Sequence, residues 1–197
     1  MSKYGLLDPG TCLPVLEAVC HVFDIENAIE FGCGLWSTST LARTCKNVTS
    51  VENVQEWIDK MKIEQSHRDN LTFVHFTKPM NTYLKEDDSY DLIFIDGENR
   101  IECLQESFNK SSIIVCHDTH AQGQGWDRVH VPVEYKMLTY TGCLPYLTTI
   151  FYHNSTDVKD KLFDRNNYTH VNTYIDKDFW IDIDICQWYR ENKNKSQ

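Results

Sequence analysis

Two glycines and two glutamates stand at the ends of neighbouring apolar runs. Gly32 and Gly34 follow the run 28–31, and without a Cβ their backbone can turn sharply and come close to a ligand. Glu30 places a negative charge beside that turn. Glu52 ends the next β-branched run, 18 residues after Gly34, where a carboxylate can accept hydrogen bonds from a ribose diol. This spacing predicts a pocket for a ribose-bearing ligand with positive charge.

Further acidic residues and a histidine close two later apolar runs. Asp96 ends the run 90–97, and His117-Asp118 ends the run 111–118. Histidine changes its charge near neutral pH, so His117 is the best candidate for a general base. If these runs are parallel strands, the side chains of Asp96, His117 and Asp118 lie near the two glutamates, at the rim formed by the carboxyl ends of the strands.

The alternation of elements predicts such a sheet. Strands are expected at 28–31, 47–52, 71–76, 90–97 and 111–118. Helices are expected at 11–24, 37–45, 53–65 and 98–110. After residue 120 the pattern changes, and 146–153 and 179–189 indicate two strands of an antiparallel edge. We therefore predict an α/β fold: a Rossmann-like three-layer sandwich around a mostly parallel seven-stranded sheet. Its ligand should bind at the carboxyl ends of the strands.

The length and the absence of repeats or linkers predict one domain over residues 1–197. Its expected parts are an N-terminal helix in 1–27, a cofactor-binding half at 28–120, an acceptor-side half at 121–190 and a polar tail at 191–197.

The charge and apolar content of the sequence argue against two classes of binding partner, nucleic acids and membranes. A net charge of −10 without a basic run argues against nucleic acid, whose phosphates attract Lys and Arg. No apolar run reaches the roughly 20 residues of a membrane span, so no membrane partner is expected. There are 8 cysteines but no C-x-x-C pair and no apolar leader at the N-terminus. We therefore expect reduced thiols and a cytoplasmic location.

The glycine turn differs from the dinucleotide fingerprint G-x-G-x-x-G, because Ser37 occupies the third glycine position. Glu30 would also repel a pyrophosphate, whereas it suits a ligand with an ammonium and a sulfonium. S-adenosylmethionine is such a ligand. An NAD-dependent oxidoreductase is therefore a disfavoured alternative.

Three segments resemble known motifs. Residues 28–52, with E-F-G-C-G-x-x-S-T and S-V-E, resemble motif I and the second acidic motif of class I S-adenosylmethionine-dependent methyltransferases. YDLIFIDGE is similar to their fourth-strand motif. IIVCHDTH is similar to the fifth strand of the branch that contains catechol-type and sugar O-methyltransferases. The resemblance covers about residues 25–120.

The resemblance implies roles for individual residues. It implies a cofactor site formed by Glu30, Gly32, Gly34, Ser37, Thr38, Glu52 and Asp96. The glycines would contact the methionine part, Glu30 its ammonium end and Glu52 the ribose. The hydroxyl groups of Ser37 and Thr38 would bind the carboxylate. The adenine contact would come from residues 77–80, none of which is assigned.

Catalysis has two possible routes under this resemblance. In the catechol-type branch, a fourth-strand Asp and a fifth-strand acidic pair hold a divalent ion that binds the acceptor. Asp96 and Asp118 match two ligands, which would favour Mg²⁺ or Mn²⁺, but Thr119 stands where the third is Asn or Asp. Catalysis thus rests either on His117 as the base or on a metal held by Asp96 and Asp118.

The expected reaction is O-methylation of a hydroxyl on a small molecule, such as a sugar or a catechol-like compound. N-methylation and a catalytically inactive ligand-binding relative remain alternatives. The sequence identifies neither the acceptor nor the oligomeric state, and a homodimer is left open.

Overall fold

The computed structural model describes residues 10–120, 124–168 and 176–192. Its strands are β1 (Asn27–Phe31), β2 (Asn47–Glu52), β3 (Leu71–His75), β4 (Leu92–Ile95), β5 (Ile113–His117), β6 (Tyr135–Tyr140), β7 (Thr148–His153) and β8 (Trp180–Ile181). Its α-helices are α1 (Leu13–Val22), α2 (Ser37–Thr44), α3 (Gln55–Glu64), α4 (Arg100–Ser107), α5 (Val158–Phe163) and α6 (Ile185–Asn192). Short 3₁₀ helices include Met80–Tyr83 and Trp126–Arg128.

All eight strands join one sheet in the order β3-β2-β1-β4-β5-β7-β6-β8. The first five pair in parallel, and β7, β6 and β8 add an antiparallel edge. The chain moves outward from β1 to β3 and then returns to the other side of β1 with β4. The strand order therefore reverses between β1 and β4, where α/β sheets open a crevice for ligands.

The sheet separates two apolar layers. Along β4, Leu92 and Phe94 pack in one cluster with side chains of α1 and α5, and Ile93 and Ile95 pack in another with those of α4 and α6. This alternation leaves β4 buried on both faces, as its uninterrupted apolar sequence predicts. Ile58 of α3 belongs to a third, smaller cluster.

The predicted Rossmann-like three-layer fold is confirmed, with eight strands in place of seven. Each strand and helix predicted up to residue 120 is present, with ends shifted by a few residues. Residues 146–153 also form the expected strand, as β7. Within the described ranges, no helix is long and apolar enough to cross a membrane.

Beyond residue 120, one prediction needs correction and one strand was not predicted. The segment 179–189 was expected to be one strand, yet only Trp180–Ile181 is extended, and α6 follows. Ile185, Cys186 and Tyr189 pack together in one cluster at helical spacing, so the apolar period is 3.6 rather than 2. The sequence analysis also missed β6, because the polar residues Lys136 and Thr139 interrupt its apolar pattern. Of the predicted tail 191–197, residues 193–197 lie outside the described ranges.

Candidate active site

The glycine turn after β1 comes into close contact with the end of β4. Gly32 has φ of 91°, and a Cβ there would lie 2.5 Å from Gly97 Cα and N. Its N–H donates to Val51 O at 2.8 Å, which ties the turn to β2 as well. Gly32 therefore needs to be glycine for both its conformation and its contacts. At Gly34 a Cβ would meet Ser37 Oγ at 3.0 Å, a milder constraint.

Glu30 is completely buried beneath this turn. Its Oε2 accepts hydrogen bonds from Thr38 Oγ1 at 2.6 Å and Ser50 Oγ at 2.7 Å. Its Oε1 is buried and has no hydrogen-bond partner among the described residues. Burial raises the pKa of Glu30 to about 7, although the hydroxyls of Ser37, Thr38 and Ser50 act in the opposite direction. Oε1 is enclosed by the protein in this conformation, so a ligand donor would have to displace protein atoms to reach it.

The hydroxyl of Thr38 connects the turn to Glu30. It accepts a hydrogen bond from Gly34 N at 2.9 Å while it donates to Glu30. Ser37 and Thr38 begin α2 and are both buried. In this conformation Thr38 supports the turn, and the expected contact of Ser37 and Thr38 with a ligand carboxylate stays a prediction.

Glu52 faces the same turn from the end of β2. Its Oε2 accepts from Cys33 N at 3.0 Å, and its Oε1 accepts from Asn53 N and Val54 N, both at 2.9 Å. A carboxylate offers about four acceptor positions, so one remains for a ribose hydroxyl in this conformation. The ribose contact itself stays a prediction.

His117, the predicted base, is 1% exposed. Its Nδ1 lies 3.1 Å from Asp96 Oδ1, and its Nε2 lies 2.7 Å from Thr11 Oγ1. Because an ionised carboxylate can only accept, Asp96 favours the tautomer with the proton on Nδ1. Nε2 is then the acceptor that a base requires, and the Thr11 hydroxyl donates to it.

Arg100, which the sequence analysis did not select, joins the ends of β4 and β5. Its guanidinium donates to Asp96 Oδ1 at 2.9 Å and to Asp118 Oδ2 at 3.0 Å. Arg100 follows Asp96 by four residues, but Asp96 comes directly after β4 and Arg100 is the first residue of α4, so the helical i,i+4 rule gave no signal for this pair in the sequence. Only the fold shows that Asp118 shares the same guanidinium.

Asp118 adopts a left-handed backbone with φ of 57°, which is uncommon for a non-glycine residue. Its Oδ1 is buried without a hydrogen-bond partner in the described ranges, 3.6 Å from His117 Nε2 and 3.9 Å from His120 Nδ1. One ligand atom each of Asp96, His117 and Asp118 lies within 4.8 Å of the others. Thr119 is buried, and its hydroxyl bonds that of Thr149 at 2.9 Å.

The structure thus brings all of the predicted residues to one rim of the sheet. Asn53 Nδ2 also donates to Glu98 Oε2 at 2.8 Å, joining the loops after β2 and β4. Of the residues 77–80 expected to contact adenine, Met80 is buried against Gly97. No residue of that loop is assigned to a ligand.

No protein-family model matches the sequence, and no curated protein matches it significantly. Solved structures do. An O-methyltransferase from Bacillus cereus in complex with S-adenosylhomocysteine (SAH) is 14% identical with a TM-score of 0.60, over 77% of this chain and 84% of that chain. A protein described as a caffeoyl-CoA O-methyltransferase, from Staphylococcus aureus, is 14% identical with a TM-score of 0.58, over 76% and 86%.

An N-methyltransferase, NodS from Bradyrhizobium japonicum WM9 in complex with SAH, is 13% identical with a TM-score of 0.53, over 73% of this chain and 85% of that chain. O- and N-methyltransferases are therefore both among the structures that this chain resembles. At these identities the likeness concerns the fold. The chain has the Rossmann-like fold found in class I methyltransferases.

Proposed function

We propose that this protein is an S-adenosylmethionine-dependent O-methyltransferase of a small-molecule hydroxyl. One observation carries the proposal. Where the strand order reverses, a glycine turn with no room for a Cβ at Gly32 lies between Glu30 and Glu52. The SAH-bound neighbours of the same fold support the choice of cofactor.

The residues present fit this cofactor. When bound, S-adenosylmethionine supplies a methyl group on a sulfonium centre. Glu30, once ionised, supplies a buried negative charge beside the glycine turn that favours a ligand with an ammonium group. Glu52 retains one acceptor position for the ribose. Glu52 would suit the ribose of either cofactor, whereas the negative charge of Glu30 beside the turn would repel a pyrophosphate, which argues against NAD.

His117 supports a hydroxyl acceptor over an amine. A hydroxyl must lose its proton during transfer, and Asp96 orients the imidazole so that Nε2 can accept it. Thr11 occupies that position in this structure, so the acceptor hydroxyl would displace Thr11 or pass its proton through it. The alternative route, in which Asp96 and Asp118 hold Mg²⁺ or Mn²⁺, must compete with Arg100 for both carboxylates.

The net charge of the protein favours some classes of methyl acceptor over others. The net charge of −10 favours neutral or cationic compounds, such as sugars or catechol-like molecules, over phosphorylated ones or nucleic acid. All eight cysteines are free thiols, and seven are buried, which supports a reducing compartment such as the cytoplasm.

Calorimetry with SAH and with NAD tests the cofactor assignment. We expect SAH to bind and NAD to give no heat, and Glu52→Ala to weaken SAH binding. Glu56→Gln, at an exposed position on α3, is the matched control and should bind SAH like the wild type. Binding of NAD without SAH would contradict the proposal.

Methyl transfer from labelled S-adenosylmethionine to a panel of alcohols, catechols, sugars and amines tests the reaction. His117→Asn should lower kcat for a hydroxyl acceptor by about 10²–10⁴-fold with little change in SAH affinity. His67→Asn, an exposed histidine, is the control. Methylation of amines alone would establish the N-methyltransferase alternative. SAH binding without turnover of any acceptor would favour an inactive relative.

A further inference from the structure

The guanidinium of Arg100 has all of its hydrogen-bond donors satisfied by the protein. Nε donates to Gly97 O at 3.0 Å, and Nη2 donates to Asp96 O and Asp96 Oδ1, both at 2.9 Å. Nη1 donates to His117 O at 3.2 Å and Asp118 Oδ2 at 3.0 Å. A guanidinium carries five N–H groups, so none is left for an acceptor substrate. Arg100 therefore acts on the protein's own groups.

Arg100 also occupies the place of a cation. It makes ion pairs with both Asp96 and Asp118, the two carboxylates of the candidate metal cluster. Its side chain is 13% exposed, and arginine stays protonated in proteins. Arg100 takes one oxygen of each carboxylate, Asp96 Oδ1 and Asp118 Oδ2, and leaves Asp118 Oδ1 without a hydrogen-bond partner among the described residues. A divalent ion bound at the remaining oxygens would lie beside a fixed positive charge held by five hydrogen bonds. The guanidinium charge therefore disfavours a metal at this cluster.

The local backbone explains this placement. Asn99 adopts a left-handed conformation with φ of 55° just before α4 begins at Arg100. The first helical residue thus follows a sharp turn after the Asp96-Gly97 end of β4. Asp118, also left-handed, meets the same guanidinium from the end of β5.

We infer that Arg100 is the resident cation of this site, in place of the divalent ion expected for the catechol-type branch. It is a positioning residue: it holds Asp96, which in turn orients His117. Any methyl transfer at this rim is then metal-independent, a consequence that rests on the proposed function. The exclusion of a divalent ion does not depend on that function.

Titration with Mn²⁺ alone, followed by electron paramagnetic resonance and calorimetry, tests the inference. The wild type should show no saturable site at this rim. Arg100→Ala should gain one saturable Mn²⁺ site, because the competing charge is gone. Adding Asp118→Asn to that variant should abolish the new site. Arg128→Ala is the control and should behave like the wild type, because the Arg128 side chain is 61% exposed.

A saturable Mn²⁺ site in the wild type that Asp118→Asn removes would overturn the inference. A folded Arg100→Ala protein that gains no site would also overturn it. If Arg100→Ala does not fold, Arg100→Lys replaces it. This variant keeps the positive charge and should show no saturable Mn²⁺ site, like the wild type, and a saturable site in either protein would overturn the inference. Methyl transfer, where present, should proceed at the same rate in EDTA and in Mn²⁺. Failure of SAH binding would contradict the proposed function and leave the Mn²⁺ result interpretable.

Discussion

At the scale of single residues, Glu30 shows how burial changes what a carboxyl group does. Outside the protein it would be ionised at neutral pH, but burial raises its pKa to about 7. Near neutral pH it can therefore be either a neutral group within the fold or a negative charge that attracts an ammonium. Binding of a cationic ligand should favour the ionised form, because opposite charges attract across a short distance.

Glu30→Gln should flatten the pH dependence of stability. The pKa of Glu30 is raised in the folded state, so folding retains a proton that the unfolded chain loses above its ordinary value of 4.5. The resulting stability is present in full at low pH and is lost as pH rises through about 7. Between pH 5 and 8 the wild type should lose roughly 2–3 kcal/mol of unfolding free energy from this group.

Urea unfolding across that pH range measures the effect. The Glu30→Gln curve should lack this decline, whereas the exposed control Glu56→Gln should keep it. Parallel curves for Glu30→Gln and the wild type would show that Glu30 does not hold the proton.

The two glycines of the turn should differ in tolerance. Gly32→Ala forces a positive φ and a 2.5 Å contact with the backbone of Gly97, so we expect a loss of about 2–5 kcal/mol in unfolding free energy. Gly34→Ala meets only the side-chain oxygen of Ser37 and should cost about 1 kcal/mol or less. Urea denaturation of both variants checks this, and equal losses would contradict the role assigned to Gly32.

At the scale of elements, buried hydroxyls join the antiparallel edge to the site. Thr149 on β7 bonds Thr119 Oγ1, just after β5, and Thr139 Oγ1 on β6, each at 2.9 Å. All three residues are fully buried. Next to Thr149, the hydroxyl of Thr148 is buried without a hydrogen-bond partner in the part of the chain described. The two neighbours therefore offer a matched comparison.

Thr149→Val should cost about 1–3 kcal/mol, because it leaves two buried hydroxyls without their partner. Thr148→Val should be neutral or stabilising, because it removes a hydroxyl that makes no hydrogen bond. Thermal and urea unfolding measure both changes. If Thr148→Val were the more damaging, the hydroxyl network would not be what stabilises this edge.

At the scale of the whole molecule, one sheet unites the two halves expected from the sequence. β5 of the first half pairs with β7 of the second along five residues, from Ile113↔Tyr152 to His117↔Thr148. The two large apolar clusters also draw side chains from both halves. If one half unfolded alone, the apolar side chains that the other half packs against it would become exposed to water. The single domain predicted over 1–197 should therefore unfold as one cooperative unit.

We therefore expect one unfolding transition for the wild type. Tryptophans report on both halves, with Trp57 in α3 of the first and Trp126 and Trp180 in the second. Denaturation followed by tryptophan fluorescence and by far-ultraviolet circular dichroism should give coincident curves. Two separated midpoints would show that the halves unfold independently and would contradict the single-domain prediction.

The sequence by itself determined the parallel part of the fold and which residues stand at the carboxyl ends of its strands. Uninterrupted apolar runs such as 90–97 and 111–118 predict buried strands from local composition alone. Because parallel strands end at one edge, the residues that follow them, such as Glu52 and Asp96, were expected to meet there. The strand predictions succeeded because they depend on residues close together in the chain, and the meeting of distant residues followed from the parallel arrangement of the strands.

Tertiary structure decided what local patterns do not contain. The left-handed turn at Asn99 directs Arg100 toward Asp96 and Asp118, and that geometry, rather than the residue types, favours a guanidinium over a metal. The segment 179–189 differs, because the helical spacing of Ile185, Cys186 and Tyr189 is present in the sequence and the strand prediction misread it. The position of Arg100 depends on contacts between the ends of two strands, which no local pattern contains.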